Sequence, residues 1–234
     1  MIIQLISGPR NISTALMYSF AQRMDTTVVD EPFYAYYLRK TGIDHPGREE
    51  ILSAQNHSAE AVIKEVIFKE YSTPHVFIKN MSKHIESLDL SFCKKTRNIL
   101  LIRDPKSLIV SFSKVIKNPT AQEIGLKASW DAFQFLGEET IVLNSDLLLL
   151  NPQSVLIQLC NRLTIKFDES MLTWNTGPRP EDGVWAPYWY KNVHLSTGFQ
   201  SPKMTQEEFP LHLTDLLEEV QPFFDKLNHF AIKP

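Results

Sequence analysis

The residues of this sequence that are best suited to chemistry lie near its beginning, in a short segment rich in hydrogen-bond donors. A run of apolar or strand-forming residues at positions 2–6 leads into the turn-like sequence SGPR at residues 7–10, and a helix-compatible run begins near Ser13. A strand, a tight turn and a helix N-terminus in this order direct backbone N–H groups and the positive end of the helix dipole at one point. The segment therefore predicts a loop that holds a phosphate group. Its residues are Gly8, Pro9, Arg10, Asn11, Ile12, Ser13 and Thr14.

This loop lacks the pattern of a P-loop that hydrolyses ATP or GTP. That pattern, G-x-x-x-x-G-K-[ST], uses its lysine on the β/γ-phosphates and its Ser/Thr hydroxyl on magnesium. Ser13 stands where the second glycine would be, and Thr14 stands where the lysine would be. We therefore expect a phosphate cradle that does not hydrolyse ATP and needs no metal ion, with Arg10 placed to clamp a terminal phosphate or sulfate.

A second group of donors follows the strongest buried-strand signal in the chain, residues 98–102. Arg103 ends that strand, and a helix is predicted from Pro105, since proline is tolerated in the first turn of a helix. Ser111 lies one to two turns into the predicted helix. We expect Arg103 and Ser111 to converge on a second anion.

Two further charged residues end predicted strands. Glu31 follows the strand at residues 26–30, and Pro32 disfavours a helical conformation for it. Lys79 ends the strand at residues 75–79. Because ligands bind at the carboxyl edge of open parallel sheets, we expect Glu31 and Lys79 to lie between the two anion sites. The alternatives are a capping or surface carboxylate for Glu31 and a solvated lysine for Lys79.

The remaining chain predicts the elements that position these residues. A length of 234 residues, 43% of them hydrophobic, is enough for one sizeable core. Strands alternate with amphipathic helices, and a fourth parallel-type strand is predicted at residues 140–143. The sequence therefore predicts one α/β domain over residues 1–234, a three-layer sandwich around a central parallel sheet of about four to five strands. A long aromatic loop, residues 174–203, is a candidate lid, and C-terminal helices are predicted over residues 204–230.

Composition and charge argue against several classes of protein. The formal net charge of −3 gives no basic character for a nucleic-acid partner. No apolar run approaches the ~18 residues of a membrane span, and the N-terminus does not resemble a signal peptide. Cys93 and Cys160 are predicted to be buried thiols. We expect a soluble, cytoplasmic protein with a small-molecule partner, and the sequence carries no signal for an oligomeric state.

The two donor motifs resemble those of the sulfotransferases that use 3′-phosphoadenosine 5′-phosphosulfate (PAPS). That family's phosphosulfate loop follows the first strand with a basic residue and then two hydroxyl residues, as Arg10, Ser13 and Thr14 do. Its 3′-phosphate motif has an arginine at a strand end and a serine eight residues on, matched by Arg103 and Ser111. The resemblance covers about residues 1–143 and implies the P-loop NTPase-like sulfotransferase fold.

The resemblance also implies a reaction. PAPS would be the cosubstrate and 3′,5′-ADP the product, and a sulfuryl group would pass to a hydroxyl or amine of a small-molecule acceptor without a metal ion. Arg10 would neutralise the leaving group and Lys79 would stabilise the bridging oxygen. Glu31 would accept the acceptor proton, because some members use a glutamate just after the second strand as base. His84 is a reserve base, with a surface position as its alternative.

Three positions depart from the family pattern. Ile12 stands where the family usually has glycine, and Met81 lies near the place of the histidine base of many cytosolic members. The late Arg-Lys-Gly phosphate loop is not evident, and a segment that begins at Lys191 is expected to replace it. Two alternatives stay open: a small-molecule kinase of the P-loop class, disfavoured by the missing Lys-Ser/Thr pair, and a nucleotide-binding protein of the same fold without catalysis.

Overall fold

Five parallel strands form one sheet in the order β2-β3-β1-β4-β5. A computed structural model describes residues 1–201 and 208–233. The strands are β1 (Ile2–Ser7), β2 (Thr26–Asp30), β3 (His75–Met81), β4 (Arg97–Ile102) and β5 (Ile141–Asn144). The carboxyl ends of all five strands therefore meet at one edge, where the predicted site residues follow them.

Helices occupy the connections between the strands and follow the last one. They are α1 (Ser13–Ala21), α2 (Tyr34–Thr41), α3 (Arg48–Ala54), α4 (Ala59–Val62), α5 (Ser82–Ile85), α6 (Pro105–Ser113), α7 (Ala121–Ile124), α8 (Leu126–Leu136), α9 (Ser145–Leu150), α10 (Pro152–Leu163), α11 (Ala186–Trp189), α12 (Lys191–His194) and α13 (Thr214–His229). A π-helical turn, Ile63–Ile67, continues α4, and short 3₁₀ segments cover Leu90–Lys95, Glu169–Leu172 and Leu211–Leu213.

The sheet is buried on both faces because its strands carry apolar residues at successive positions. In β4, Leu100 and Ile102 pack into the core beneath α6, α8 and α13, whereas Ile99 and Leu101 pack into the core beneath α1 and α10. Alternation of side chains along a strand sends neighbouring residues to opposite faces. The predicted α/β fold, three layers around a parallel sheet, is confirmed.

Several predicted boundaries differ from the structure. The helix predicted over residues 122–136 is divided at Gly125, which has a φ of 76° and ends α7. A Cβ at this position would lie 2.3 Å from the Ser82 hydroxyl oxygen, so a close approach of α5 also requires glycine. The predicted C-terminal helical range begins in residues 204–207, which lie outside the described residues, and α13 begins at Thr214.

Two other features of the described chain bear on the predictions. Cys93 and Cys160 are buried, as predicted, and burial raises the pKa of the Cys93 thiol to about 12 and that of Cys160 to about 11. Among the described residues, no helix has the length and apolar character needed to cross a bilayer.

Candidate active site

The loop between β1 and α1 is held against its neighbours by backbone and side-chain contacts. Gly8 lies so close to the end of α7 that a Cβ would approach the Ile124 carbonyl oxygen to 2.4 Å. The Asn11 side-chain amide donates to the Leu101 carbonyl of β4 at 3.0 Å. Ile12 is the N-cap residue of α1 and has no polar side-chain atom that could cap it. The first N–H groups of α1 therefore remain available to an anion.

The loop places two non-glycine residues in the left-handed region, Arg10 with a φ of 60° and Ile12 with a φ of 58°. A β-branched residue rarely adopts this conformation, because its Cβ approaches the following carbonyl. The family pattern has glycine at the position of Ile12, and the backbone observed here has the conformation that glycine adopts without this cost.

This conformation predicts an unusual order of stability for two variants. Ile12→Gly is expected to be more stable than Ile12→Ala by about 1 kcal/mol, since only glycine avoids the left-handed strain, and this gain exceeds the loss of one further methyl group at a partly buried position. Urea unfolding measures the difference. Thr164, which also has a positive φ of 58° in an exposed turn, supplies a matched pair in Thr164→Gly and Thr164→Ala. A more stable Ile12→Ala would contradict the assigned backbone conformation.

The two predicted anion sites adjoin each other. The Arg10 Nε atom donates to the Ser111 hydroxyl at 3.1 Å, and the Arg103 Nη1 atom donates to the Arg10 carbonyl at 2.9 Å. Burial and the nearby charge of Arg103 lower the pKa of Arg10. Asp146, at the start of α9, faces Arg103 with an Nε to Oδ1 distance of 3.5 Å. The loop and the β4–α6 junction therefore form one continuous basic surface.

Glu31 and Lys79 do not lie between the two anion sites. β2 and β3 are on one side of β1 and β4 is on the other, so both residues lie to one side of the loop. The prediction of an intermediate position was wrong, because the order of strands in the sheet differs from their order along the chain.

Lys79 is the centre of a buried hydrogen-bonded network. Its ammonium group donates to Asp30 at 2.8 Å, to the Tyr190 hydroxyl at 2.8 Å and to Glu31. The Tyr190 hydroxyl in turn donates to Asp30 at 2.7 Å. Lys79 is 1% exposed. All three ammonium donors are thus used within the protein, and Lys79 holds the Glu31 carboxylate in place.

The charges in this network have shifted pKa values. Burial alone would lower the pKa of Lys79, but Asp30 and Glu31 outweigh it and raise that pKa. Burial raises the pKa of Glu31, with Lys79 opposing and Asp30 adding to the effect. Burial and Asp30 raise the pKa of Tyr190 well above its usual value. Tyr190 therefore stays protonated as a donor, and Glu31 is a stronger base than an ordinary glutamate.

The backbone at Glu31 is constrained as well. Glu31 has a φ of 38°. Its N–H donates to the Lys79 carbonyl at 2.8 Å, and its own carbonyl accepts from the Gln55 side-chain amide at 3.0 Å. Strained backbone that is fixed by surrounding contacts is frequent in active sites. These contacts determine where the carboxylate points.

His84 is not at the surface. It is 2% exposed, and its ring stacks on Tyr34 at 4.2 Å between centroids. Its Nδ1 atom lies 3.5 Å from a Glu31 carboxylate oxygen, and neither ring nitrogen has a hydrogen-bond partner among the described residues. Burial and the charges of Lys83 and Lys79 lower its pKa well below the usual value. The imidazole is therefore neutral, and it offers one N–H donor and one acceptor nitrogen for hydrogen bonds.

One cavity of about 360 Å³ joins the basic surface to the Glu31 network. Met81, which lies near the place where the resemblance implies a histidine base, also lines it. Of the predicted site residues, the cavity wall includes Pro9, Arg10, Ile12, Ser13, Thr14, Glu31, Lys79, His84, Arg103 and Ser111. Gly8 and Asn11 support the loop from behind. Lys191 is exposed at the start of α12 and is not part of the wall, whereas its neighbours Asn192 and Val193 are.

The predicted lid segment is packed against the site over its described part. Trp185 is 2% exposed, and its indole N–H donates to the Tyr190 hydroxyl at 3.1 Å. Asp182 accepts from the Tyr18 hydroxyl at 2.6 Å and contacts His194 at 2.9 Å. Residues 202–203 of the predicted lid lie outside the described residues. The segment covers the end of the cavity that holds the Lys79 network through buried polar contacts.

Three residues of the site were not predicted from the sequence. Asp30 and Tyr190 complete the Lys79 network, and Lys83 lines the cavity next to His84. Asp30 could have been found, because a parallel register places it beside Lys79. Tyr190 could not, since it reaches the network from a segment 160 residues away along the chain.

The geometry agrees with what this chain is similar to. The sequence profile of the family described as "Sulfotransferase domain" matches residues 1–231. A sulfotransferase domain from the curacin biosynthetic pathway is similar in structure, with a TM-score of 0.55 and 19% identity over 100% of this chain and 98% of that one. A sulfotransferase domain from the Synechococcus PCC 7002 olefin synthase has a TM-score of 0.54 and 17% identity over 94% of each chain.

Two curated proteins of Arabidopsis thaliana are more similar in sequence. "Branched-chain-amino-acid aminotransferase-like protein 1" is 44% identical over 231 residues, which is 97% of this chain and 41% of that protein. "Branched-chain-amino-acid aminotransferase-like protein 2" is 39% identical over 232 residues, with the same coverage of 97% and 41%. This chain thus spans about two fifths of the length of the curated relatives it matches, whose names describe those longer proteins.

Proposed function

Because this chain belongs to the sulfotransferase domain family, we propose that it transfers a sulfuryl group from PAPS to a hydroxyl or amine of a small-molecule acceptor. One observation carries the proposal. A single cavity has a basic surface with two arginines at one end and a constrained, buried carboxylate at the other. This is the arrangement that a doubly phosphorylated donor and a neutral nucleophile require.

The basic surface suits the donor. Arg10, Ser13 and Thr14 surround the N-terminus of α1, where a 5′-phosphosulfate would meet N–H donors and the helix dipole. Arg103 and Ser111 lie beside Arg10 and would bind the 3′-phosphate. The loop has no lysine and hydroxyl pair in the magnesium-binding arrangement of an ATP-hydrolysing P-loop, so arginines and backbone donors are the groups available to neutralise phosphate charge.

The transfer is an in-line displacement in which atoms and charges balance. The acceptor oxygen forms a bond to sulfur while the bond between sulfur and the bridging oxygen breaks, and that oxygen stays with 3′,5′-ADP. Glu31 takes the proton that the acceptor hydroxyl loses, and later releases it to solvent. Arg10 stabilises the charge that develops on the leaving phosphate. Positioning and electrostatic stabilisation carry most of the rate enhancement in such reactions.

Lys79 acts in this proposal by holding Glu31. A role at the bridging oxygen would require its ammonium group to leave a partner, since its three donors go to Asp30, Glu31 and Tyr190. His84 lies next to Glu31 and is neutral, so it orients the carboxylate or the acceptor by one hydrogen bond.

Nucleotide binding tests the donor assignment. We expect 3′,5′-ADP to raise the thermal midpoint of the protein more than ATP or 5′-AMP does, without magnesium, because a ligand that binds the folded state stabilises it. Arg103→Ala is expected to weaken 3′,5′-ADP binding by about 10- to 100-fold and to affect 5′-AMP little, as loss of a charge-assisted contact would. Calorimetric titration gives both affinities.

The matched control is Arg97→Ala. Arg97 lies at the opposite end of β4, and its guanidinium also donates to a backbone carbonyl, that of Arg162 at 2.8 Å. It should not change either affinity. A larger, magnesium-dependent rise of the thermal midpoint with ATP would favour a kinase. Equal losses of affinity for 3′,5′-ADP and 5′-AMP in Arg103→Ala would contradict the assignment of Arg103 to the 3′-phosphate. Binding of 3′,5′-ADP without transfer to any acceptor would favour a non-catalytic binding protein.

A further inference from the structure

Lys83 is a cation in the cavity that forms no close ion pair among the described residues, and Glu31 and Glu123 attract it from farther away. Its side chain is partly buried and lines the cavity wall. No carboxylate of the described residues lies within 4.0 Å of its ammonium group, which instead lies 5.5 Å from the centre of the Tyr37 ring. An ammonium group that is partly removed from water without a partner is unfavourable, so a bound anion at this point would be stabilised.

Lys83 is on the acceptor side of the cavity. It precedes His84 on α5, and the His84 ring contacts Tyr34 and Tyr37 of α2, the helix that follows Glu31. The charge of Lys83 affects the pKa values of Glu31, His84 and His45, which all line the same end of the cavity. Arg10 and Arg103, which would bind the donor, lie at the other end, where Arg103 donates to the Arg10 carbonyl and Arg10 donates to Ser111.

The groups around Lys83 suit a ligand that has two polar ends. In the proposed reaction Glu31 deprotonates a hydroxyl or amine, and the ring nitrogens of His84 beside it have no hydrogen-bond partner among the described residues. Aromatic rings of Tyr34, Trp189 and Tyr190 line the same region and suit an apolar body. Lys79 already pairs with two carboxylates, whereas no carboxylate of the described residues lies within 4.0 Å of Lys83, so Lys83 can take a second polar group of the ligand.

We propose that the acceptor is a hydroxyl compound that also carries a carboxylate, which pairs with Lys83 while the hydroxyl meets Glu31. This inference rests on the function proposed above and specifies the class of acceptor. A sulfuryl acceptor of this kind would be held at both ends, which places its oxygen in line with the donor. Removal of the Lys83 charge should therefore weaken the binding of acceptors that carry a carboxylate and leave the binding of neutral acceptors unchanged.

Binding of matched acid and amide pairs tests the proposal. The probes are 4-hydroxyphenylacetate, 3-hydroxybutyrate and 2-hydroxyisovalerate, each with its amide, titrated into the full chain with and without saturating 3′,5′-ADP. We expect at least one acid to bind about tenfold or more tightly than its amide, as a charge-assisted contact provides. Lys83→Met should remove this preference, and Lys83→Arg should retain most of it.

Two controls separate the possible failures. Lys40→Met removes another ammonium group that lies 5.5 Å from a tyrosine ring, that of Tyr36, but at an exposed position outside the cavity. It should change nothing. The Lys83 variants should bind 3′,5′-ADP as the unmodified chain does, and loss of that affinity would assign Lys83 to the donor and overturn the proposal.

The remaining outcomes are also decisive. If no acid binds more tightly than its amide, or if Lys83→Met keeps the preference, the acceptor assignment is wrong even though 3′,5′-ADP binds. If 3′,5′-ADP itself does not bind, the proposed function fails. A preference for acids that depends on Lys83 would then show a carboxylate-binding site that serves an activity other than sulfuryl transfer.

Discussion

Glu31→Gln is expected to lower turnover by about 10²- to 10⁴-fold, because a general base typically contributes that much. The amide keeps the size of the carboxylate and can still contact Lys79, but it cannot accept the acceptor proton. Binding of 3′,5′-ADP should not change, since Glu31 lies on the far side of β1 from Arg103. Steady-state sulfuryl transfer and calorimetric titration measure the two quantities.

The pH dependence of turnover gives a second test of the same residue. Burial raises the pKa of Glu31, and only the deprotonated carboxylate can act as base. Turnover should therefore fall as the pH is lowered through this pKa, and the acidic limb should lie above the usual range of a glutamate near 4.3. The limb should disappear in Glu31→Gln.

His84→Gln is the variant that separates the two candidate bases. We expect it to lose less activity than Glu31→Gln, because a neutral histidine beside Glu31 orients groups without carrying the proton away. Near-normal turnover in Glu31→Gln together with a large loss in His84→Gln would transfer the role of base to His84. Glu49→Gln is the inert control, because Glu49 is exposed and pairs with its neighbour Arg48 outside the cavity.

Lys79→Met is expected to destabilise the protein by about 3–5 kcal/mol. The substitution leaves Asp30 and Glu31 as buried carboxylates without their cation, and breaking a buried pair from one side carries a cost of this size. Lys127→Met is the control. Lys127 pairs with Asp131 at 2.6 Å on an exposed helix face, where its side chain is 64% exposed, and such a pair contributes at most about 1 kcal/mol.

The destabilisation should depend on pH in a defined direction. Burial raises the pKa of Glu31 and Lys79 opposes this effect, so without Lys79 the folded-state pKa of Glu31 would lie further above its unfolded value. The unfolded chain would then bind fewer protons than the folded chain as the pH is lowered towards that pKa. The loss of unfolding free energy caused by Lys79→Met should therefore become smaller as the pH is lowered. Urea unfolding across this range checks both the size and the sign.

The same variant discriminates between two roles for Lys79. A large loss of stability, partly recovered by adding Asp30→Asn and Glu31→Gln, supports Lys79 as the group that positions Glu31. Unchanged stability with a large loss of turnover would contradict that assignment and support a direct contact with the bridging oxygen.

Much of the site was predictable because its residues occupy marked positions in local patterns. Arg10, Glu31, Lys79 and Arg103 each follow a run of strand-forming residues, and the carboxyl ends of parallel strands share an edge. The loop between β1 and α1 and the helix that begins at Pro105 also have clear local signals. These are proline and glycine at turns and hydroxyl residues at the start of a helix. Local sequence thus sufficed for the fold class and for the edge at which ligands bind.

Other features depended on contacts between distant parts of the chain. The strand order places Glu31 and Lys79 to one side of the loop, the Lys79 ammonium turns towards two carboxylates, and Tyr190 reaches them from a late segment. His84 and Lys191 are both polar residues, and their local sequence does not distinguish their positions. His84 is buried against Glu31, whereas Lys191 is exposed to solvent. Periodicity specifies the face and the end of an element. Which elements become neighbours follows from packing of the whole chain, and the partner of each charge is known once those neighbours are in place.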